Sequence, residues 1–308
     1  MVPPSVPASM ATSDRPVLVT GSSTGIGRAI VELLAAEGHP VLAGARKESD
    51  LAGLGQLSGV TPVRLDVTRA ADVGRLAAEI RASGHGLYGL VNNAGIGAIG
   101  PLAEIPVEEL HRVFAVNLDG IHRLVGATFP FLRESRGRVV NISSISGILV
   151  EPFFGPYNIS KHAVEAYTDT LREELAPLGL HVSAIEPGVF QSRIFANGLA
   201  AMPKDFQSAW EASDSVFRDT VLKILEYVST PEMLYGTEKP VPTPVARAVA
   251  DALYSDHPKP RYLVANPGAS DLVVHRLLTL LRQCNEGQPH PLRPTELHAQ
   301  LDRALREG

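Results

Sequence analysis

An open α/β sheet wound with helices on both faces is the fold this sequence predicts, on three observations. From Arg15 to about Gly188 short β-branched runs alternate with longer helical patterns, the order that gives a parallel sheet covered on both sides. The first run, Val17–Thr20, passes directly into a glycine-rich turn and then a helical pattern. With 308 residues, 44% apolar and 20% charged, the chain can fill one large core and lacks the signature of disorder.

Taken in order, strands are expected at Pro16–Thr20, Pro40–Gly44, Pro62–Asp66, Gly89–Asn92, Arg138–Ser143 and His181–Glu186, with a seventh at Arg261–Ala265. Between them, helices are expected at Gly25–Glu37, Ala70–Ser83, Val107–Arg133, Gly155–Ala176 and Pro244–Tyr254. Two regions break the alternation. Residues 190–242 are polar and mixed in pattern and carry the only tryptophan, Trp210; a segment that long inside a compact domain reads as a lid or binding element. Beyond Asn266, Leu272, Val273, Leu277, Leu278, Leu280 and Leu281 make an apolar stripe, read as packing on the core or on a subunit neighbour, with a membrane-surface helix as the other reading. The expected organisation is a disordered tail over 1–14, a catalytic domain over 15–270 that includes the lid, and a helical extension over 271–308.

Lys and Arg total 28 against 33 Asp and Glu, a formal charge of −5, which disfavours nucleic acid as a partner because phosphate neutralisation needs a basic surface. A single cysteine, Cys284, excludes an intrachain disulfide and a multi-cysteine metal site and fits a reducing compartment, the cytosol. The Pro-, Ser- and Ala-rich start lacks the basic head and apolar run of a secretory signal. No stretch approaches the roughly 18 apolar residues of a spanning helix. The ten histidines show no metal-ligand spacing, so no metal is expected.

The turn Gly21-Ser22-Ser23-Thr24-Gly25-Ile26-Gly27 lies between a strand and a helix. Glycines let the backbone approach a pyrophosphate, and a helix N-terminus offers its unpaired N–H groups to the negative charge. The same residues match G-x-S-x-G, a hydrolase nucleophile elbow with Ser23 as nucleophile. That reading lacks the earlier strand from which such an oxyanion loop comes. At the end of the second strand, where NAD-preferring folds place a carboxylate, stand Ala45, Arg46 and Lys47. A guanidinium there suits a 2′-phosphate, so NADP(H) is expected ahead of NAD(H), with a solvated basic turn as the alternative.

Ser144 follows the fifth strand at the carboxyl edge, where open α/β sheets bind ligands. Tyr157 and Lys161 follow, four residues apart and so on one face of a helix. A nearby ammonium favours the tyrosine phenolate, and a serine hydroxyl can donate to an oxygen that gains charge. Capping by Ser144 and simple packing of Tyr157 are the competing readings.

Together, Thr20–Gly27, Asn92-Asn93-Ala94-Gly95, Asn117, Ser144, Tyr157-Asn158-Ile159-Ser160-Lys161 and Pro187-Gly188 resemble the short-chain dehydrogenase/reductase family. The resemblance is close over about Pro16–Gly188 and looser through Ala265. It implies a Rossmann-type, doubly wound parallel sheet of about seven strands and hydride transfer between a nicotinamide and a carbonyl or alcohol. It further implies Tyr157 as acid–base residue, Ser144 as orienter of the substrate oxygen, Lys161 as holder of the nicotinamide ribose that also lowers the tyrosine pKa, and Asn117 as the site of a relay water. The cofactor set it implies is Gly21, Ser23, Gly25, Ile26, Gly27 and Arg46, Asp66 with Val67 at the adenine, Asn93 and Gly95, then Tyr157, Lys161, Pro187, Gly188, Val189 and Ser192, the last replacing the family's usual threonine. A homodimer or homotetramer through the helices at Val107–Arg133 and Gly155–Ala176 is also implied.

Ala43–Lys47 and Glu186–Gly188 resemble the hydroxysteroid and retinol dehydrogenase branch. Phe153, Phe154, Ile194, Phe195 and Trp210 are candidates for an apolar pocket taking a hydrophobic alcohol or carbonyl, or for ordinary lid packing. The competing function from another class is a non-catalytic dinucleotide sensor or scaffold of the same fold.

Overall fold

The computed structural model describes residues 15–200, 202, 205–230, 239–286 and 288–307; the expected tail over 1–14 lies outside them. The described chain divides into two compact units, up to Ala265 and from Asn266 onward.

In the first unit seven strands form one parallel sheet: β1 (Val17–Thr20), β2 (Val41–Ala45), β3 (Val60–Arg64), β4 (Gly89–Asn92), β5 (Arg138–Ile142), β6 (His181–Pro187) and β7 (Arg261–Val264). Their order is β3-β2-β1-β4-β5-β6-β7, so the winding reverses between β1 and β4 and leaves a crevice there at the carboxyl edge. The helices are α1 (Gly25–Ala36), α2 (Glu48–Leu54), α3 (Ala70–Ser83), α4 (Val107–Phe114), α5 (Gly120–Ser135) and α6 (Gly155–Leu175), then α7 (Ile194–Ala200), α8 (Phe206–Glu211), α9 (Arg218–Val228) and α10 (Thr243–Tyr254).

Alternation along β1 sends its side chains into two cores. Val17 and Val19 pack with Ile30 and Leu34 of α1 and Val249 and Leu253 of α10; Leu18 faces Ile80, Leu124, Leu132 and Val164 from α3, α5 and α6. Both faces are dry, as a parallel sheet requires.

Three differences from the sequence reading have physical causes. The third strand begins at Val60 and pairs Pro62 with Ala43; proline is tolerated because β3 is an edge. The expected helix over 107–133 is interrupted by a π-helical turn, Ala115–Asp119, and runs on to Ser135. α2 was not expected, since seven residues carrying only Leu51 and Leu54 as buried anchors are too few to show a period.

Within 190–242 the described residues form α7, α8 and α9. Ile99, Val221, Leu225 and Val228 make a small core there, against which Phe153, Trp210 and Phe217 pack.

The second unit consists of α11 (Pro267–Glu286) and α12 (Pro294–Glu307). Asn285 fixes their connection, donating to Leu292 O at 3.0 Å and accepting from Leu292 N at 2.8 Å. Of the apolar stripe, Val273 is buried, while Leu272, Leu277, Leu278 and Leu281 are exposed. Among the described residues no helix is long and apolar enough to cross a membrane.

Candidate active site

The carboxyl ends of the strands open into a cleft of about 740 Å³. Every residue expected to touch the cofactor lies on its wall, from Gly21 and Arg46 to Val189 and Ser192, as do Ser144, Tyr157 and Lys161. Asn117 stands behind the wall, 1% exposed.

The amino end of α1 faces the cleft with no side-chain cap at Thr24 and no acidic residue in its first turn. Its first N–H groups are therefore open to an anion. A side chain on Gly27 would sit 2.3 Å from Gly21 O and 2.4 Å from Asn93 Nδ2, so only glycine lets the helix start this close to the strand. Asn93 ties the turn to β4 by donating to Thr20 O at 2.8 Å and Gly21 O at 3.1 Å. A main-chain cradle, an uncapped helix end and no competing acid in that turn fit a dinucleotide pyrophosphate.

At the end of β2, Arg46 and Lys47 are exposed on the cleft wall. Asp50 shares that wall, an acidic neighbour that the sequence reading did not weigh. Further along, Asp66 Oδ1 accepts from Thr68 N and Thr68 Oγ1 at 2.9 and 2.7 Å. Asp66 N in turn donates to Asp72 Oδ2 at 3.0 Å, a bond that pulls the Asp72 carboxyl below its usual range.

Ser144 caps the short turn Ile145–Gly147, its Oγ accepting from Ser146 N at 3.1 Å, and its hydroxyl acts on the Tyr157 phenol, favouring loss of its proton. The capping reading therefore holds. Lys161 is 4% exposed; its Nζ donates to Ile142 O at 2.8 Å and lies 5.7 Å from the centre of the Tyr157 ring.

The titration of this pair departs from expectation. Burial pushes Tyr157 up to about 12, with Ser144 pulling down and Glu151 pushing up, and burial pushes Lys161 down to about 8 against the field of Glu165. The groups acting on the Tyr157 proton here are Ser144 and Glu151, while the Lys161 ammonium is turned to the Ile142 carbonyl.

The π-helical turn carries Asn117 inward. Its Oδ1 accepts from Ile96 N at 2.9 Å, and its Nδ2 donates to Ile96 O at 3.0 Å and Ser160 Oγ at 2.9 Å. Ser160 Oγ donates to Tyr157 O at 2.8 Å. Asn117 therefore ties the loop after β4 to the helix turn that presents Tyr157, a contact across 43 residues that spacing could not announce.

Of the apolar-pocket candidates, Phe154 and Ile194 line the cleft, and Phe153, Phe154 and Trp210 pack against the lid core; the side chain of Phe195 lies outside the described residues. Phe153 has φ of 69°, held by an edge-on contact with Phe217 at 5.9 Å and by Gly100 N donating to Phe153 O at 2.8 Å. Sequence reading missed Glu151, Arg193, Asn197, Tyr227 and Lys239 on the cleft wall, since none belongs to a local motif. Among the described residues no cluster of three or more His, Cys, Asp or Glu could hold a metal ion.

Comparison with known proteins agrees with this geometry. The sequence profile described as short chain dehydrogenase matches residues 15–202. Retinol dehydrogenase 5 of Mus musculus is 33% identical over 82% of this chain and 81% of its own length. The mitochondrial D-beta-hydroxybutyrate dehydrogenase of Bos taurus is 36% identical over 80% of this chain and 75% of its own. A short chain dehydrogenase/reductase from Burkholderia phymatum, solved in complex with NAD, superposes with a TM-score of 0.72 at 28% identity, covering 92% of this chain and all of that one. With a seven-stranded parallel sheet, a glycine turn at its switch point and matching relatives along most of its length, the chain belongs to the short-chain dehydrogenase/reductase family of oxidoreductases acting on CH–OH groups.

Proposed function

We propose that this chain is an NADP(H)-dependent enzyme interconverting a hydrophobic ketone or aldehyde and its alcohol. The observation that carries the reading is that Ser144, Tyr157 and Lys161 share one cleft wall with the glycine cradle. Gly21–Gly27 and the start of α1 would hold the pyrophosphate, Asp66 and Val67 the adenine, Asn93, Gly95 and Lys161 the nicotinamide ribose, and Pro187, Gly188, Val189 and Ser192 the carboxamide. The bound nicotinamide supplies or accepts the hydride.

Tyr157, protonated at neutral pH because burial holds it near 12, donates its proton to the carbonyl oxygen in reduction and recovers it in oxidation. Ser144 sits at the phenol, where its hydroxyl can donate to the substrate oxygen as charge develops. Lys161 places a buried cation beside the ring and favours the phenolate that forms. Asn117 holds the turn of Tyr157 through Ser160.

Arg46 and Lys47 after Ala45 support NADP(H), with Asp50 as the opposing charge; Phe154 and Ile194 support an apolar substrate. The reading includes a cytosolic homodimer or homotetramer. The test is NADPH oxidation, with NADH in parallel, against steroid ketones, retinal, aromatic ketones, acetoacetate and short aldehydes. A bulky member should turn over with NADPH, and Tyr157→Phe should keep NADPH binding while losing roughly 10²- to 10⁴-fold in rate. Undiminished turnover in Tyr157→Phe would sink the mechanism, and a sample that binds NADPH but turns over nothing would favour the sensor.

A further inference from the structure

Helix α11 of the second unit has two apolar sides that differ in exposure. On one, Val273 is buried and Ala269, Arg276 and Leu280 are half-buried. On the other, Val274, Leu277, Leu278 and Leu281 recur at i, i+3, i+4 and i+7, the spacing of one stripe along a helix. These four are 53, 50, 49 and 44% exposed, so the described residues leave the stripe uncovered. Single exposed apolar side chains are ordinary, whereas a contiguous row of four marks a contact surface.

The charges beside the stripe identify what it meets. Helical spacing sets Asp271 and Arg282 on the same flank, near the two ends of the stripe, with His275 between them. The opposite flank carries Cys284 and no charge, and Arg276 lies on the half-buried side. Arg282 bonds Glu286 through Nη1 at 3.0 and 3.1 Å, while Asp271 makes no ion pair among the described residues. Two helices related by a two-fold axis bring like flanks together when antiparallel and opposite flanks together when parallel. Antiparallel pairing about the middle of the stripe therefore sets Asp271 of one copy beside Arg282 of the other, twice, with Leu277 and Leu278 at the axis. Parallel pairing would set the charged flank against the uncharged one and form no such pair. A lipid surface finds less to hold, because the acids and bases of α11 balance.

We propose that the Val274, Leu277, Leu278 and Leu281 stripe docks antiparallel on the same stripe of a second copy of this chain. The surface is separate from α5 and α6, and the inference does not depend on the reaction proposed above. The stripe spans roughly 10 Å of helix, too little for a permanent interface. The pairing is therefore reversible, at about micromolar concentrations. Where α5 and α6 already join two copies, α11 joins one such pair to the next. Apolar contact supplies the attraction, and the two Asp271–Arg282 pairs across the axis supply direction and register.

The test is sedimentation velocity of the full-length protein over about 1–100 μM, the range such a contact spans. The wild type should gain mass with concentration, and Leu277→Glu combined with Leu281→Glu should abolish that gain. Asp271→Arg and Arg282→Asp should each weaken association about tenfold, and the two together should restore it. Oxidation should cross-link Leu277→Cys in a Cys284→Ser background. It should leave native Cys284 unlinked, because antiparallel pairing holds the two copies of that residue about 20 Å apart along the helices. A wild type of constant mass overturns the inference, as does a mass gain that the leucine variant keeps, which would assign assembly to other helices. Failure of the double charge swap to restore association, or cross-linking through native Cys284, overturns the antiparallel register. If the wild type floats with phosphatidylcholine–phosphatidylserine vesicles, and the leucine variant loses that binding with its mass unchanged, the stripe belongs to a lipid surface and the inference falls. Should the leucine variant fail to fold, the charge swaps still decide it. Mass is read without substrate or cofactor, so failure of the proposed reaction leaves the result intact.

Discussion

Between β1 and α1 the cleft is closed by main chain: the Gly21–Gly27 turn, the open N–H groups of α1 and the Asn93 amide that bonds Thr20 O and Gly21 O. Across the same cleft, α7 and α9 bound it with side chains, among them Ile194, Asn197 and Tyr227. Those helices stand on a small core that Phe153, Trp210 and Phe217 complete. The first wall uses atoms that every residue possesses, so it can fit only one constant group and depends on what is absent from it, a Cβ. The second depends on which side chains are present and can change its fit without changing the fold. The two meet where Gly198 of α7 lies against Gly97: a Cβ there would be 2.4 Å from Gly97 O, which fixes the start of the lid against the loop that follows β4.

The largest expected effect comes from filling the main-chain wall. Gly27→Val drives a branched side chain into Gly21 O and Asn93 Nδ2. Displacing the helix start forfeits at least two bonds to the pyrophosphate, at about 1.5–3 kcal/mol for each charge-assisted bond, which is roughly a hundredfold or more in NADPH affinity. Overpacking should lower stability by about 1–3 kcal/mol as well. Calorimetric titration with NADPH and a thermal melt measure both. A folded Gly27→Val protein with wild-type affinity would show that this wall is not a cradle.

A smaller effect belongs to the one side chain on that wall expected to choose between dinucleotides. Arg46 makes no hydrogen bond or ion pair among the described residues and is exposed, so its guanidinium is available to a 2′-phosphate. Arg46→Asp should reduce the preference for NADPH over NADH by about tenfold, the worth of one solvent-exposed charge-assisted bond. The ratio of kcat/KM for the two cofactors measures it, and the difference should shrink as salt is added. An unchanged ratio would return Arg46 to a solvated turn and leave Asp50 as the dominant charge there.

What could be read from the sequence divides along the same line. The glycine turn, the strand ends and the Tyr157–Lys161 spacing are local, so residue order alone displays them, whereas the reversal between β1 and β4 is seen only in the assembled sheet. The contacts that brace the site are distant in sequence: Arg261 meets Glu186 across 75 residues and Glu165 across 96, and Asn117 reaches Ser160 across 43. No periodicity connects such positions. The raised affinity of Tyr157 for its proton was equally hidden, because burial is a property of the assembled cleft. The lid aromatics show the converse. Composition marks Phe153, Phe154 and Trp210 alike, and all three pack against the lid core, but only the fold shows that Phe154 also lines the cleft.

The smallest effect sharpens that last distinction. Trp210 lies on α8, edge-on to Phe206 at 6.4 Å, and is partly buried against the lid core, with no place on the cleft wall. Trp210→Ala should therefore leave NADPH affinity unchanged and lower the overall melting temperature little, while the lid core loses a large anchor and opens locally more often. The expected signature is a severalfold rise in KM for the carbonyl substrate, a kcat within about twofold of wild type, and faster proteolytic cutting within 190–242 than elsewhere in the chain. A matching loss of NADPH affinity would mean that the side-chain wall and the main-chain wall are one cooperative unit, joined at Gly97 and Gly198. An unchanged KM would mean that the lid core is scaffolding whose packing the substrate does not sense, leaving Phe154 and Ile194 to define the apolar side of the site.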